Sequence, residues 1–248
     1  KVKNLILSIS TLTIFSLSFN VIAQQNNVSY KIELNTGAAT EPTMPFWLTA
    51  NQYGSIPNEN YSLLRGTLSK DFLKNERDFD IAFKSSFSSA FSKNGTNVMI
   101  EELNLDLRYK NWILELGNKH DKEACQGLSS SNGNIIKSQN TRAIPGINLK
   151  TNNFVQLPFA KNWLSVKMSF GEYFLNDKRF VNNTHLHNKS LHFKSKISNK
   201  LNLTIGLDHY VVWGGVSEEF GKQPSSFKDY IKYITGQGDG INTDENIN

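Results

Sequence analysis

The sequence predicts an all-β protein, and three observations lead to this prediction. Apolar and polar residues alternate over long segments, tight and long connections follow one another between these segments, and no stripe with a helical period appears after residue 23. Strict alternation is typical of strands with one apolar and one polar face. Most of the segments approach the roughly nine to eleven residues that a strand needs to cross a bilayer. We therefore expect an antiparallel transmembrane β-barrel of the outer-membrane type.

The composition excludes several other classes of protein. The 248 residues include 27 Lys and Arg against 22 Asp and Glu, which gives a formal net charge of +5. No basic run or stripe accompanies this charge, so we expect no nucleic-acid partner. The single cysteine, Cys125, excludes an internal disulfide framework and any zinc site built from several cysteines.

The first residues resemble an export signal. Lys1 and Lys3 precede an apolar stretch, 5–19, and Ala23 follows as the small residue of a cleavage site. The stretch is short and rich in hydroxyl groups for a membrane-spanning helix, although a retained helical anchor is the alternative. We therefore predict a signal peptide over residues 1–23 and an exported mature protein.

Alternation continues through most of the remaining chain. The predicted strand segments are 78–91, 99–109, 112–117, 164–174, 191–197 and 201–213. Residues 24–60 are expected to lead into the barrel, and residues 61–248 to supply its strands. Within these strands, Phe83, Leu105, Phe170 and Leu203 are expected to face lipid, and Ser86, Asn104 and Thr204 to face the lumen.

The connections between the strands differ in length in a regular way. Those at 73–77, 110–111 and 198–200 are tight, whereas those at 120–142, 176–188 and 214–227 are long and polar. Outer-membrane barrels have short periplasmic turns and long outward loops, so we expect these two sets to face opposite sides of the membrane. A soluble β-sandwich is the alternative. Because residues 236–248 look like a loop, we also expect the chain to stop before the barrel closes.

No arrangement of residues indicates an active site. His185 and His187 share a strand face, but no third metal ligand of matching spacing follows. The adjacent carboxylates at 101–102 and at 218–219 would point to opposite faces of a strand, which does not suit a paired acid and base. We expect no catalytic residue, no metal site and no cofactor.

Three elements of the sequence are more specific than a generic strand. They contain, in order, Pro45, Phe46, Trp47, Leu48, Asn51 and Gly54; Ser138, Asn140, Arg142, Ile144 and Pro145; and Leu207, His209, Trp213, Gly214 and Gly215. In residue type, order and spacing this set resembles the Wzi family of capsule-assembly proteins. The resemblance covers residues 28–235, with one local departure at 131–133.

The resemblance implies a wide outer-membrane barrel of a Gram-negative bacterium that acts as a surface lectin. Its expected partners are capsular polysaccharide, which it would hold to the cell, and the lipid of the outer membrane. The resemblance implies no catalysis. Two other functions are alternatives from the residues alone. One is a general porin or small-solute channel, and the other is a secreted glycan-active enzyme, which the absence of paired carboxylates disfavours.

The second element provides the candidate binding residues. Pro145 lacks an N–H and therefore suits the start of a strand. Ser138, Asn140 and Arg142 would then lie near the mouth of that strand. An amide offers a donor and an acceptor to sugar hydroxyls, and a guanidinium offers a planar fork to an acidic substituent.

Two alternatives accompany this assignment. Trp47 or Trp213 would stack on a sugar face, but either ring would serve equally as an anchor at the membrane interface. Asn140 and Arg142 would instead have a structural role if they linked the barrel wall to a lumen carboxylate such as Glu102 or Glu115.

Overall fold

The computed structural model describes residues 15–25, 27–73, 78–121, 129, 134, 136–160 and 163–237, with the backbone alone for 15–25. The chain divides into two compact units. The first unit contains residues 1–108 and 117–144, and the second contains residues 109–116 and 145–248.

The first unit is an antiparallel sheet. Its strands are β1 (Phe15–Gln25), β2 (Val28–Ala38), β3 (Tyr61–Lys70), β4 (Phe79–Ser92) and β5 (Gly95–Tyr109). Each strand neighbours the next along the chain. A one-turn helix, α1 (Phe46–Thr49), lies between β2 and β3. Cleavage after Ala23 would leave the last two residues of β1, and the signal peptide itself stays a prediction.

The second unit is built in the same way. Its strands are β6 (Trp112–Asn118), β7 (Pro145–Thr151), β8 (Val155–Gln156), β9 (Leu164–Leu175), β10 (Val181–Asn182), β11 (Thr184–Lys196), β12 (Asn202–Trp213), β13 (Val216–Ser217) and β14 (Gly221–Lys222). Antiparallel pairs join β7, β9, β11 and β12 in that order, and β10, β13 and β14 form a small separate sheet. A 3₁₀ turn covers Pro158–Ala160.

The strand predictions are largely confirmed, including the start of β7 at Pro145. The tight turn at 110–111 is also confirmed, with Lys110 in the left-handed region at φ 52°. Two predictions were wrong. β11 begins at Thr184, seven residues earlier than expected, and the predicted loop 214–227 contains β13 and β14.

A helix that the sequence analysis missed follows the last strand. This helix, α2, covers Phe227–Thr235. The Ser226 hydroxyl accepts a hydrogen bond from the Asp229 N–H, and the Asp229 carboxylate accepts one from the Ser226 N–H, which together form a capping box. Gly236 ends the helix with φ 72°, a conformation that glycine adopts without cost. At nine residues, the helix is too short to give a clear periodic signal.

In the first unit a small apolar cluster of Met44, Tyr61, Leu63 and Ala90 is buried. Elsewhere on β4 and β5, polar residues are buried and most large apolar residues are exposed. On β4, Phe79 is 54% exposed, whereas its neighbour Asp80 is 6% exposed. On β5, Leu103 and Leu105 are exposed, whereas Glu102, Asn104 and Asp106 are buried. We call these two sides the apolar face and the polar face. This distribution is the reverse of that in a water-soluble domain.

The second unit has the same distribution of faces. Phe170, Leu191, Phe193, Leu203, Ile205 and Leu207 are exposed along the apolar face of β9, β11 and β12. On the polar face Ser165 and Asn188 are buried, and the hydroxyls of Ser169 and Ser190 are 2.6 Å apart. A row of large apolar side chains therefore faces outward from each unit.

Ion pairs stabilise the polar face of the first unit. Arg65 donates two hydrogen bonds to the Glu101 carboxylate, at 2.6 and 2.9 Å. Arg108 donates to Asp80 at 3.2 Å, and Lys119 binds Asp106. Buried carboxylates need such partners, because an unpaired charge is costly to remove from water.

None of the helices in the described part of the chain has the length and apolar character that a bilayer-spanning helix requires.

Candidate functional site

A tight loop after α1 forms one wall of the candidate site. Asn51, Tyr53 and Gly54 all have left-handed backbones, with φ of 58°, 54° and 68°. This conformation is uncommon for a bulky residue such as Tyr53 and persists only where the surroundings fix it. A side chain on Gly54 would also lie 3.4 Å from the Asn140 carbonyl oxygen. Glycine therefore suits this position for both its backbone freedom and its small size.

Hydrogen bonds join this loop to the segment before β7. The Asn51 N–H donates to Asn140 Oδ1 at 2.5 Å, and the Tyr53 N–H donates to the Gln139 carbonyl oxygen at 2.7 Å. The structure thus brings together the first two sequence elements, which are 89 residues apart along the chain. The Asn140 amide is used to hold the loop.

The segment itself is a compact turn. The Ser138 carbonyl oxygen accepts hydrogen bonds from the N–H and the hydroxyl of Thr141, at 3.1 and 2.7 Å. The Ser138 hydroxyl accepts a further bond from the Asn140 N–H at 3.1 Å. This turn, which immediately precedes β7, fixes the position of Asn140 and brings Arg142 next to the loop.

An aromatic pair lies between the two segments. The rings of Tyr53 and His120 stack with their centroids 3.8 Å apart and an interplanar angle of 30°. The His120 N–H donates to Glu102 Oε1 at 3.0 Å, and the same carboxylate binds Lys84. Burial lowers the pKa of the His120 imidazole below its usual value. A neutral ring stacked on a tyrosine forms a flat, partly apolar surface.

Together these parts form an open cleft. Its lining residues are Tyr53, Lys119, His120, Asp121, Lys137, Ser138, Gln139, Thr141, Arg142, Ala143 and Ile144. Lys137 lies 3.6 Å from the Asp121 carboxylate. The Arg142 side chain is exposed and has no ion-pair partner among the described residues. The cleft therefore offers hydroxyl groups, an aromatic surface and an exposed guanidinium.

The predicted site residues do not all lie together. Ser138 and Arg142 line the cleft, and Asn140 supports it from behind. Trp47, in α1, is 60% exposed and contacts the Phe46 ring, but it is not among the described residues that line the cleft. Trp213 belongs to the second unit and stacks on His185 with centroids 4.7 Å apart.

The proposed carboxylate partners have other contacts. Glu102 binds Lys84 and the His120 backbone, and in the second unit Glu115 accepts from Asn148 at 2.9 Å and pairs with Lys150 at 2.7 Å. Tyr53 and His120 were not predicted from the sequence. Tyr53 lies within the first sequence element, so that element contained the signal, whereas His120 follows a strand with no motif to mark it.

The sequence model of one protein family, described as capsule assembly protein Wzi, matches residues 13–248. The match confirms the family resemblance that the three sequence elements indicate. Comparisons with curated proteins and with solved structures return no match.

Proposed function

Because the chain belongs to the Wzi family of capsule-assembly proteins, we propose that it binds capsular polysaccharide and anchors it at the surface of a Gram-negative cell. In this proposal the strands belong to a transmembrane β-barrel of the outer membrane, and the protein has no catalytic activity. The cleft between the Tyr53 loop and the segment 136–144 is the proposed binding site.

The reversed faces of the strands support the location in a membrane. Phe79, Leu105 and Leu203 are exposed, and each would remove apolar surface from water by facing lipid. This stabilises the protein by roughly 25 cal/mol for every Å² removed from water. The buried polar face has its charges paired, as in the interior of a barrel wall. Long antiparallel pairings, such as those of β2 with β3 and of β11 with β12, let backbone groups bond to one another instead of to water, as a bilayer requires.

The observation that carries the binding proposal is the hydrogen-bonded union of the first two sequence elements around the stacked rings of Tyr53 and His120. A sugar ring has hydroxyls on its rim and an apolar patch of C–H groups on its face. The cleft presents matching groups, because Ser138 and Thr141 have hydroxyls and the ring pair offers a flat surface. Arg142 adds a cation suited to an acidic substituent of the glycan.

The test replaces Arg142 with alanine and measures two properties. Folding is followed by heat-modifiable mobility on gels, and binding by retention of polysaccharide on intact cells. We expect a folded protein that sheds polysaccharide, because Arg142 is exposed and contributes no ion pair to the fold among the described residues. Arg179→Ala is the matched control, since it removes an equally cationic loop residue whose partner is Asp177.

Two outcomes would contradict the site. A folded Arg142→Ala protein that retains polysaccharide normally would remove Arg142 from the binding residues. Equal shedding by Arg142→Ala and Arg179→Ala would indicate a general charge effect. If Arg142→Ala misfolds, the residue is structural, and Thr141→Val then tests the cleft through the loss of one lining hydroxyl.

A general porin is the alternative, and conductance distinguishes it. A protein that holds polysaccharide in its cleft has no need of an open pore. The protein reconstituted in a planar bilayer is therefore expected to show no steady ion conductance. Stable open-channel currents together with normal polysaccharide retention by Arg142→Ala would favour the channel.

A further inference from the structure

The apolar face of the second unit changes character along its strands. In one register row Met168, Leu191 and Leu207 lie side by side on β9, β11 and β12. In the row two residues further on, Lys189 and His209 replace the leucines beside Phe170, and in the next row Glu172 and His187 lie beside Val211. The continuous apolar surface therefore ends over these two rows, where Phe170 and Val211 are the remaining apolar side chains.

Helix α2 covers the polar part of this face. The Tyr230 hydroxyl donates to Glu172 Oε1 at 2.6 Å, and His187 Nδ1 lies 2.5 Å from the same oxygen. The Lys189 ammonium donates to the Ile234 carbonyl oxygen at the end of the helix. His187 has no exposed surface. We call Glu172, His187, Lys189 and Trp213, with the helix above them, the covered cluster.

Aromatic rings complete the contact between the helix and the strands. The Trp213 ring lies 5.1 Å from the Tyr230 ring and 6.3 Å from the Tyr233 ring, measured between centroids. Tryptophan and tyrosine are the residues that membrane barrels place at the boundary between hydrocarbon and water. Here they occur just beyond the row where the apolar surface ends.

The opposite side of α2 is apolar and faces away from the strands. Phe227 is 77% exposed and Ile231, one turn later, is 40% exposed. Lys228 is also exposed, so a cation lies beside this apolar ridge. An isolated helix of nine residues has little stability of its own. The capping box and the hydrogen bonds to Glu172 and Lys189 hold the ridge in a fixed orientation.

We propose that α2 is an interfacial helix, whose Phe227 and Ile231 insert among anionic lipid headgroups at this end of the strands. The inference rests on the proposed membrane barrel. Glu172, His187 and Lys189 cannot face hydrocarbon without a large cost, so the cover they receive from α2 marks where the hydrocarbon ends. A ridge of large apolar residues beside a lysine suits the headgroup layer, where apolar side chains reach the first acyl carbons and cations meet phosphate.

Depth-dependent quenching tests this proposal. The full-length protein with Cys125→Ser receives one cysteine, Phe227→Cys or Leu203→Cys, and each is labelled with a small fluorophore. The labelled proteins are reconstituted in vesicles of phosphatidylcholine and phosphatidylglycerol with a nitroxide either at the headgroup or deep in the acyl chain. We expect the headgroup nitroxide to quench the Phe227 label about twofold more than the deep one, and the deep nitroxide to quench the Leu203 label more strongly than the Phe227 label.

A third label separates failure of the helix from failure of the barrel. Thr204→Cys, on the polar face next to Leu203, is expected to respond weakly to both lipid quenchers. If the Leu203 label behaves as expected while the Phe227 label is not quenched by lipid, the helix is not interfacial and the barrel proposal stands. If the Phe227 label is shielded from aqueous iodide as well, protein covers the ridge, and the lipid proposal fails. Equal quenching of the Leu203 and Thr204 labels would overturn the membrane location itself.

Discussion

The cleft of the first unit and the covered cluster of the second unit are built from the same kinds of residue. Each combines a histidine, a lysine, a carboxylate and aromatic rings near the end of a strand. In the cleft, the ring pair of Tyr53 and His120 opens to solvent. In the covered cluster, Tyr230 donates a hydrogen bond to Glu172, and a carbonyl oxygen at the end of α2 accepts one from Lys189.

This difference shows that residue type alone does not make a binding site. His187 is as suitable a sugar ligand as His120 in its chemistry, but it is completely buried beneath a helix of the same chain. Arg142 and the hydroxyl groups of the cleft meet no such cover among the described residues. What the chain places above a polar group therefore decides whether that group can meet a ligand.

The largest expected effect tests what the two units have in common, which is the orientation of their strand faces. Arginine at Leu105 in the first unit should lower the free energy of unfolding by about 2–4 kcal/mol, because it would place a charge in hydrocarbon. Arginine at Leu203 in the second unit should lower it by less, because Leu203 is the second residue of β12 and the cost falls toward the ends of a spanning strand. Unfolding by urea in lipid vesicles measures this loss. Thr204→Arg, at an exposed position of the polar face, should change stability little.

The choice of control follows from the structure. The sequence analysis treated Ser86, Asn104 and Thr204 as equivalent lumen positions, but Ser86 is 2% exposed and its hydroxyl lies 3.0 Å from that of Thr67. Arginine there would be costly for steric reasons alone. If Thr204→Arg destabilised the protein as much as Leu203→Arg, both faces would be covered by protein, as in a soluble sandwich.

The next prediction opens the covered cluster. Tyr230→Phe removes the hydrogen bond to Glu172, which accepts it as a carboxylate, so the docking of α2 should weaken by roughly 1.5–3 kcal/mol. Burial raises the pKa of Tyr230, and the bond to Glu172 raises it further, so the hydroxyl remains a donor at neutral pH. Hydrogen exchange of the α2 amides measures the weakening.

Tyr233→Phe is the matched control, because it removes a hydroxyl from the same helix without touching Glu172. Faster exchange in Tyr230→Phe alone would show that the contact holds the helix over the strands. Equal exchange rates in the two variants would mean that Glu172 contributes nothing measurable to the cover, and the contrast between the two sites would then rest on ring packing.

The sequence predicted the strands well because alternation is a local signal. β5 shows it from Glu102 to Tyr109 and β12 from Asn202 to Asp208, and a one-residue error would exchange their faces. The expectation that Glu101 and Glu102 point to opposite faces was wrong, because Glu101 bonds to Arg65 and Glu102 to Lys84, both on the polar face. Helix α2 was missed because nine residues are few for a periodic pattern. Its boundaries could have been recognised, because Ser226 and Asp229 mark its start and Gly236 marks its end.

The site was only half predictable for a different reason. The second sequence element contains Ser138 and Arg142, which line the cleft, and their role in binding stays a prediction. The contact between Asn51 and Asn140 spans 89 residues and depends on the route of the whole sheet. No local rule predicts that His120 stacks on Tyr53, because the two residues are far apart along the chain and only the fold brings their rings together. Trp213, interpreted as a sugar platform or an interface anchor, contacts α2, which was not foreseen.

A smaller effect is expected when the cleft is loosened rather than the covered cluster. Asn140→Ala leaves the Asn51 N–H without its partner, which should cost about 1 kcal/mol of stability. Because that bond holds the loop containing Tyr53, binding of purified polysaccharide should also weaken, as measured by calorimetry. Asn140→Asp keeps an acceptor oxygen at the same place and should retain more of both properties. Identical affinities for Asn140→Ala and the unchanged protein would separate the loop from the binding site.

The smallest expected effect is a dependence on pH that only the cleft should show. Burial lowers the pKa of His120, so the folded protein binds fewer protons than the unfolded chain at any pH between the two pKa values. Stability from this group is therefore complete above the usual imidazole pKa of about 6.5, and it is lost as the pH falls from there to the lower folded value. The loss cannot exceed about 1.4 kcal/mol for each pH unit, because one proton is involved.

We expect His120→Gln to lose less stability than the unchanged protein between about pH 7.5 and pH 5.5 in thermal unfolding, since glutamine does not titrate. The other titrating groups are common to both proteins and cancel in the difference. An equal loss in both proteins would mean that His120 is as accessible to protons when folded as when unfolded, which would contradict the burial of the ring pair on which the cleft is built.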